Sequence, residues 1–124
     1  MVKMKLLKYA LVFTGIFFIG IMFNMYRFGY GFDDAFWRTL MTPFTGTVWS
    51  ERFTEEGFNN IKISMSTDEV LKHLGKPLQN ECGKERCFWI YSYQDTPTAD
   101  FDQRWIIFNK NDRVVEIRKS FFID

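Results

Sequence analysis

The hydrophobic pattern takes three characters along the chain. Residues 9–26 run 18 positions without a charge, relieved only by Thr14, Gly15, Gly20 and Asn24. As a helix this stretch reaches about 27 Å, close to the hydrocarbon thickness of a bilayer. Over residues 63–77 the spacing becomes helical, with Val70, Leu71 and Leu74 on one stripe. After Pro77 the period falls to two. Residues 87–93 alternate Phe88, Ile90 and Ser92 with Trp89, Tyr91 and Tyr93, and residues 104–108 alternate Trp105 and Ile107 with Ile106 and Phe108. Residues 113–121 set Val115, Ile117 and Phe121 against Glu116, Arg118 and Ser120. These patterns predict half-buried antiparallel strands. Residues 109–112 (Asn-Lys-Asn-Asp) predict the turn between the last two, and polar residues 94–103 connect the first two. The expected fold class is α+β: an N-terminal transmembrane helix, then two short helices packed on a three-stranded antiparallel meander. The expected divisions are a signal anchor over 1–27, an aromatic juxtamembrane segment and linker over 28–49, and an α+β domain over 50–124.

Both short helices carry their boundaries in the sequence. Ser66 is placed to cap the first turn, and Glu69, three residues later, to reach back to the Ser66 N–H as a capping box. Met65 and Val70 hold the staple positions, and Asp68 and Glu69 put negative charge at the positive end of the helix dipole. Gly75 is expected to take the left-handed conformation after the last turn, and Pro77 prevents continuation. A second cap is expected at Thr54, with Glu55 and Glu56 in the first turn and Phe53 and Phe58 as staple. Gly57 should keep that helix short.

The apolar run is bracketed by Lys8 and Arg27. Lys3, Lys5 and Lys8 favour a cytoplasmic N-terminus, with residues 28–124 on the far side. A cleaved signal peptide is the competing reading. The run is longer than the usual signal core, and no small-x-small site closes it, so an uncleaved anchor is expected. No cysteine follows the run for lipid attachment. Downstream, Asp33 and Asp34 can start a helix that ends before Pro43, placing Phe36, Trp37, Leu40 and Met41 on one face. Tyr30, Phe32, Phe36, Trp37 and Leu40 are candidates for the membrane–water interface or for docking a partner. The same rings packed on the domain core are an equal alternative.

The stretch around the capped helix resembles the SmpA/OmlA family, the BamE-like small lipoproteins of the bacterial envelope. Residues 61–77 fit the pattern Ile-x-x-Gly-Met-(Ser/Thr)-x-x-(Glu/Gln)-Val-x-x-x-Leu-Gly-x-Pro, through Ile61, Met65, Ser66, Glu69, Val70, Leu74, Gly75 and Pro77. An aromatic strand (Phe88, Trp89, Ile90, Tyr91) and a hairpin (residues 105–108 to 113–115) follow in the family's order. The likeness covers about residues 50–121. Ser64 stands where the family has Gly, and a transmembrane segment replaces the lipidated cysteine. Members support assembly of β-barrel proteins at the outer membrane. The resemblance implies a non-catalytic scaffold or accessory protein, here expected in the bacterial inner membrane with a periplasmic domain.

Composition adds an asymmetry. The net charge is +1, yet residues 1–27 hold four cations and no acid, which leaves 12 basic and 15 acidic residues over 28–124. No run of Lys or Arg occurs there, so nucleic acid is not an expected partner. Cys82 and Cys87, separated by four residues, are expected to form a disulfide on the non-cytoplasmic side, with free thiols as the alternative. Their spacing is not that of a redox pair, and with His73, the single histidine, they cannot supply a structural zinc set. His73 is expected half-exposed on its helix. The adjacent acids diverge and fit helix starts. No nucleophile with a base, phosphate loop or metal motif is readable, so no catalytic residue, cofactor, metal or small-molecule substrate is expected.

The expected partners are the lipid bilayer and an envelope protein. Trp89, Tyr91 and Tyr93, with Trp105, are the partner-binding candidates, since aromatic rings on a rigid sheet suit a protein interface. The opposite assignment, with these rings in the core and Phe88, Ile90 and Phe108 outside, is equally compatible with the pattern. The alternative function is a periplasmic binding module, an inhibitor or a lipid or protein sensor, using its sheet face. Its helix-pair-on-sheet plan is similar to that of the β-lactamase-inhibitor proteins, without a shared motif.

Overall fold

The apolar run forms one helix, α1 (Val2–Phe28), long and apolar enough to cross a membrane. It ends where Gly29 takes a left-handed conformation (φ 66°, ψ 28°). A computed structural model describes residues 1–123 and divides the chain into two compact units, Met1–Pro43 and Phe44–Asp124.

In the first unit α2 (Phe32–Leu40) packs against α1. Asp33 and Asp34 lie in its first turn, as the sequence predicts. The seam is built from the residues that interrupt the apolar run. At Gly20 a Cβ would stand 2.8 Å from Thr39 Cγ2, so any larger residue would have to push Thr39 aside. Asn24, one turn on and 5% exposed, donates to Thr39 Oγ1 and accepts from Arg38 Nη1, both at 2.8 Å. A buried amide is thereby satisfied on both ends.

Among the described residues the second unit holds two α-helices, α3 (Glu55–Asn59) and α4 (Thr67–Leu74), and six strands. The predicted three-stranded meander is instead a four-stranded antiparallel sheet in the order β2 (Gln79–Cys82), β3 (Arg86–Ile90), β5 (Phe101–Asn109), β6 (Val114–Phe122). Beside it β1 (Thr47–Trp49) pairs with β4 (Ser92–Gln94) as a two-stranded sheet. The expected first strand breaks at Tyr91. Its last residues leave β3's sheet for β1, so two sheets form where one continuous strand is predicted. Residues 45–47, read as linker, are tied into this unit: Gly46 N–H donates to the Asp100 carbonyl (2.9 Å), and Asp95 N–H donates to Gly46 (3.1 Å).

Both predicted N-caps form. Thr54 Oγ1 accepts from Gly57 N–H at 2.9 Å, and the Ser66–Glu69 capping box is complete. Gly75 takes a positive φ of 69°, but with ψ −162° rather than the left-handed helical value. Gly57 has a use that its helix propensity hides. A Cβ there would lie 2.5 Å from the His73 carbonyl oxygen, so glycine lets α3 and α4 cross closely.

The core joins Phe58 and Ile61, from α3 and the turn after it, and Val70 and Leu74, from α4, to Tyr91, Ile106, Phe108 and Val114. Burying each of the aliphatic side chains stabilises the fold by about 1.5–3 kcal/mol. Val114, not the predicted Val115, enters the core cluster from β6, while the predicted Ile117 packs against it and Phe121 is buried. A bulge opposite Phe108 puts the extra residue Val115 outward, 39% exposed. The predicted turn over 109–112 forms, with Asp112 at φ 59° and Asn109 Oδ1 accepting from the N–H groups of Asn111 and Arg113.

Candidate interaction surfaces

The helices cover one face of the main sheet, and register decides which aromatic residues lie beneath them. Trp89, Ile106 and Ile117 are directly opposite one another across β3, β5 and β6. They share the helix side with Cys87, Phe108 and Val114. Trp89 is therefore half-buried against the core and packs on Phe108 with ring centroids 4.6 Å apart, tilted by 59°. Tyr91 is fully buried, and its hydroxyl donates to the Gly75 carbonyl at 2.9 Å. Burial pushes that hydroxyl's pKa far above its ordinary value. Tyr93, 42% exposed, leaves for the small sheet and rests on Phe101. Trp105 points to the opposite face. The four aromatic candidates thus do not form one surface: two lie on the core side, one at the small sheet and one on the far face.

That far face is itself aromatic. Phe88 and Trp105 meet edge-on at 6.4 Å, and the Arg118 guanidinium lies 5.7 Å from each ring, paired with Glu116. The register puts this cation–π cluster on the same face as Ile107, fully buried, and Ile90, nearly so. Trp105 Nε1 is buried without an acceptor. Such an indole N–H costs desolvation until something accepts from it.

A buried ionic cluster is the feature that the sequence reading missed. Arg104, 0% exposed, faces the helix side of β5 between the rings of Trp49 and Phe58, each 5.8 Å away. Its Nε donates to Glu55 Oε1 at 3.0 Å, its Nη2 lies 2.8 Å from the same oxygen, and its Nη1 donates to the Gln103 carbonyl at 2.8 Å. Lys119 completes the group, 3.6 Å from Glu55 Oε2 and donating to Asn59 Oδ1 at 2.8 Å. Burial pulls the Lys119 ammonium pKa down, and the Glu55 carboxylate opposes that. The signal was present: Arg104 has the same strand parity as Ile106 and Phe108, so it is a charge on the apolar face. Glu55 is both a first-turn acid and the counter-ion that ties α3 to β5. Among the described residues no three His, Cys, Asp or Glu side chains converge to hold a metal ion. His73 is exposed on α4.

Cys82 and Cys87 form a disulfide across β2 and β3, where the register sets them opposite each other with Cα atoms 4.0 Å apart. Behind this hairpin, an open cleft of about 350 Å³ is lined by Leu71, Lys76, Pro77, Leu78, Gln79, Asn80 and Trp89.

In the first unit the interface candidates divide. Phe32, Trp37 and Leu40 are 54%, 42% and 45% exposed, whereas Tyr30 is buried. Phe36 lies edge-on to Phe17 of α1 and to Trp37.

No protein-family model matches the chain, and no curated protein matches it.

Proposed function

We propose that the protein is a non-catalytic, membrane-anchored scaffold or accessory protein of the bacterial envelope, acting through protein–protein contacts. α1 crosses the inner membrane once with its N-terminus in the cytoplasm, and the α+β domain stands in the periplasm. The observation that carries this reading is α1 itself. It is 27 residues long, and its apolar side chains from Met4 to Phe23 are almost all open to the surroundings. An exposed apolar surface of that length is stable in lipid and not in water. The disulfide of the second unit fits an oxidising compartment. In that unit Glu69 serves a helix cap, and Glu55, Arg104 and Lys119 serve ion pairs, which fits a binding role. The envelope assignment draws on the SmpA/OmlA resemblance. One backbone angle supports it: Ser64, at the position where that family has glycine, sits at φ 76°.

The test is protease accessibility in spheroplasts, followed by capture from detergent-solubilised membranes. We expect cleavage of the C-terminal domain from outside, and a membrane complex recovered with the full chain. Recovery of a shortened chain in the soluble fraction rejects the anchor. A soluble partner held equally by residues 44–124 favours instead a binding module that uses the Phe88–Trp105–Arg118 face, where two partly exposed rings and a guanidinium lie together.

A further inference from the structure

The main sheet has two open edges that differ in how they meet another strand. Edge strands are protected by bulges and inward-pointing charges. β6 carries both: the bulge at Val115, and Lys119 turned toward the helix side at the Glu55 carboxylate. β2 carries neither; only its four-residue length and Glu81 guard it, and its residues are exposed. Gly83 N–H donates to the Arg86 carbonyl at 2.8 Å. Alternation along an antiparallel ladder then turns the backbone groups of Glu81 toward β3 and those of Asn80 and Cys82 outward. A strand this short frays unless it is held. The Cys82–Cys87 disulfide holds it at one end, and the Leu78 N–H bond to the Ile90 carbonyl (2.8 Å) at the other. The cleft opens beside this edge. Leu71, Pro77, Leu78 and Trp89 give it an apolar lining beside the polar Gln79 and Asn80, and its only charged side chain is Lys76.

We propose that β2 is a docking edge that takes an extended segment of a partner protein as a fifth strand. This deepens the scaffold reading and rests on it. The outward N–H and C=O groups of Asn80 and Cys82 call for extended backbone, since only another strand offers donors and acceptors at that repeat. One apolar side chain of the incoming strand fills the cleft against Leu71, Leu78 and Trp89. An Asp or Glu close to it in the same segment pairs with Lys76. A second copy of this chain fits less well, because the two-fold pairing centred on Glu81 sets two carboxylates directly opposite each other.

The experiment pans a displayed library of random peptides, about eight residues long and enough to span the edge, against the full chain in lipid nanodiscs. Enriched peptides should alternate apolar and polar residues and carry an acid. N-methylation of alternate amides in one parity should weaken them about tenfold or more, and in the other parity leave them unchanged, because only one set of N–H groups faces β2. Lys76→Glu should exchange the acidic preference for a basic one, and reduction of the disulfide should weaken binding. The proposal is overturned if the native chain enriches nothing beyond a Leu78→Glu variant. It is also overturned if binding tolerates methylation at every amide, or if sedimentation shows the edge closed by a second copy in a dimer that Leu78→Glu dissolves. Failure here with the membrane complex still recovered removes the β2 site and leaves the scaffold role, whereas release of the chain from membranes removes the anchor itself.

Discussion

Ser64 is the clearest single-residue compromise in the chain. A non-glycine residue at φ 76° is strained by contact of its Cβ with the backbone. The angle persists because Ser64 N–H donates to the Val114 carbonyl (2.8 Å) and Val114 N–H donates to Met65 (2.9 Å), stitching the start of α4 to β6. Ser64→Gly removes the strain and adds some freedom to the unfolded chain, so we expect a net gain of about 0.5–1 kcal/mol in urea unfolding. Glu69 is the residue whose charge the fold uses most visibly. The Ser66 N–H, donating at 2.7 Å, holds its carboxyl pKa below the ordinary value of 4.5. A pKa lowered on folding means stability that is present above that ordinary value and is lost as pH falls through the folded one. Glu69→Gln keeps an acceptor but does not titrate, so its melting temperature should fall less between pH 6 and about pH 3 than that of the native chain.

Among the elements, α3 depends most on tertiary contacts. Five residues with a central glycine do not make a stable helix alone. Phe58 in the core, the Thr54 cap and the Glu55–Arg104 pair hold it. Removing one partner of a buried pair leaves the other charge uncompensated, so Arg104→Met should cost about 3 kcal/mol. Lys119, close to Glu55, softens that loss. The double variant Glu55→Leu with Arg104→Met should recover most of it, and a double-mutant cycle in denaturant reads the coupling. Loss in the double variant equal to the sum of the singles would show that the two charges act independently. The capped helix α4 is the opposite case. Its start, stop and buried stripe were legible from Ser66, Glu69, Gly75, Val70 and Leu74, because each acts on neighbours within one turn.

For the whole molecule, the measurable consequence of α1 is how the chain leaves a membrane. We expect it to stay in the pellet through alkaline carbonate washing and to enter solution only with detergent, at the full mass of 14.9 kDa. Extraction by carbonate would mean that α1 is not in the bilayer.

Local signals alone determined the apolar helix, both N-caps, the turn over 109–112 and the α+β class. Each depends on interactions between residues a few positions apart. The cysteine pair was legible too, from spacing and expected compartment, and it lies at the tip of a hairpin whose first strand was not. Tertiary structure decided which side of each strand is inside. Phe88, Trp89, Ile90 and Tyr91 are all apolar, so periodicity could not choose between them, and only the contacts of α3 and α4 put Trp89 and Tyr91 beneath the helices. It also decided β2, whose Gln-Asn-Glu-Cys sequence has no alternation to read and becomes a strand because β3 offers it hydrogen bonds. Arg104 and Glu55, 49 positions apart, became partners for a similar reason: a charge on an apolar face needs a counter-ion, and only the folded chain can say which one reaches it.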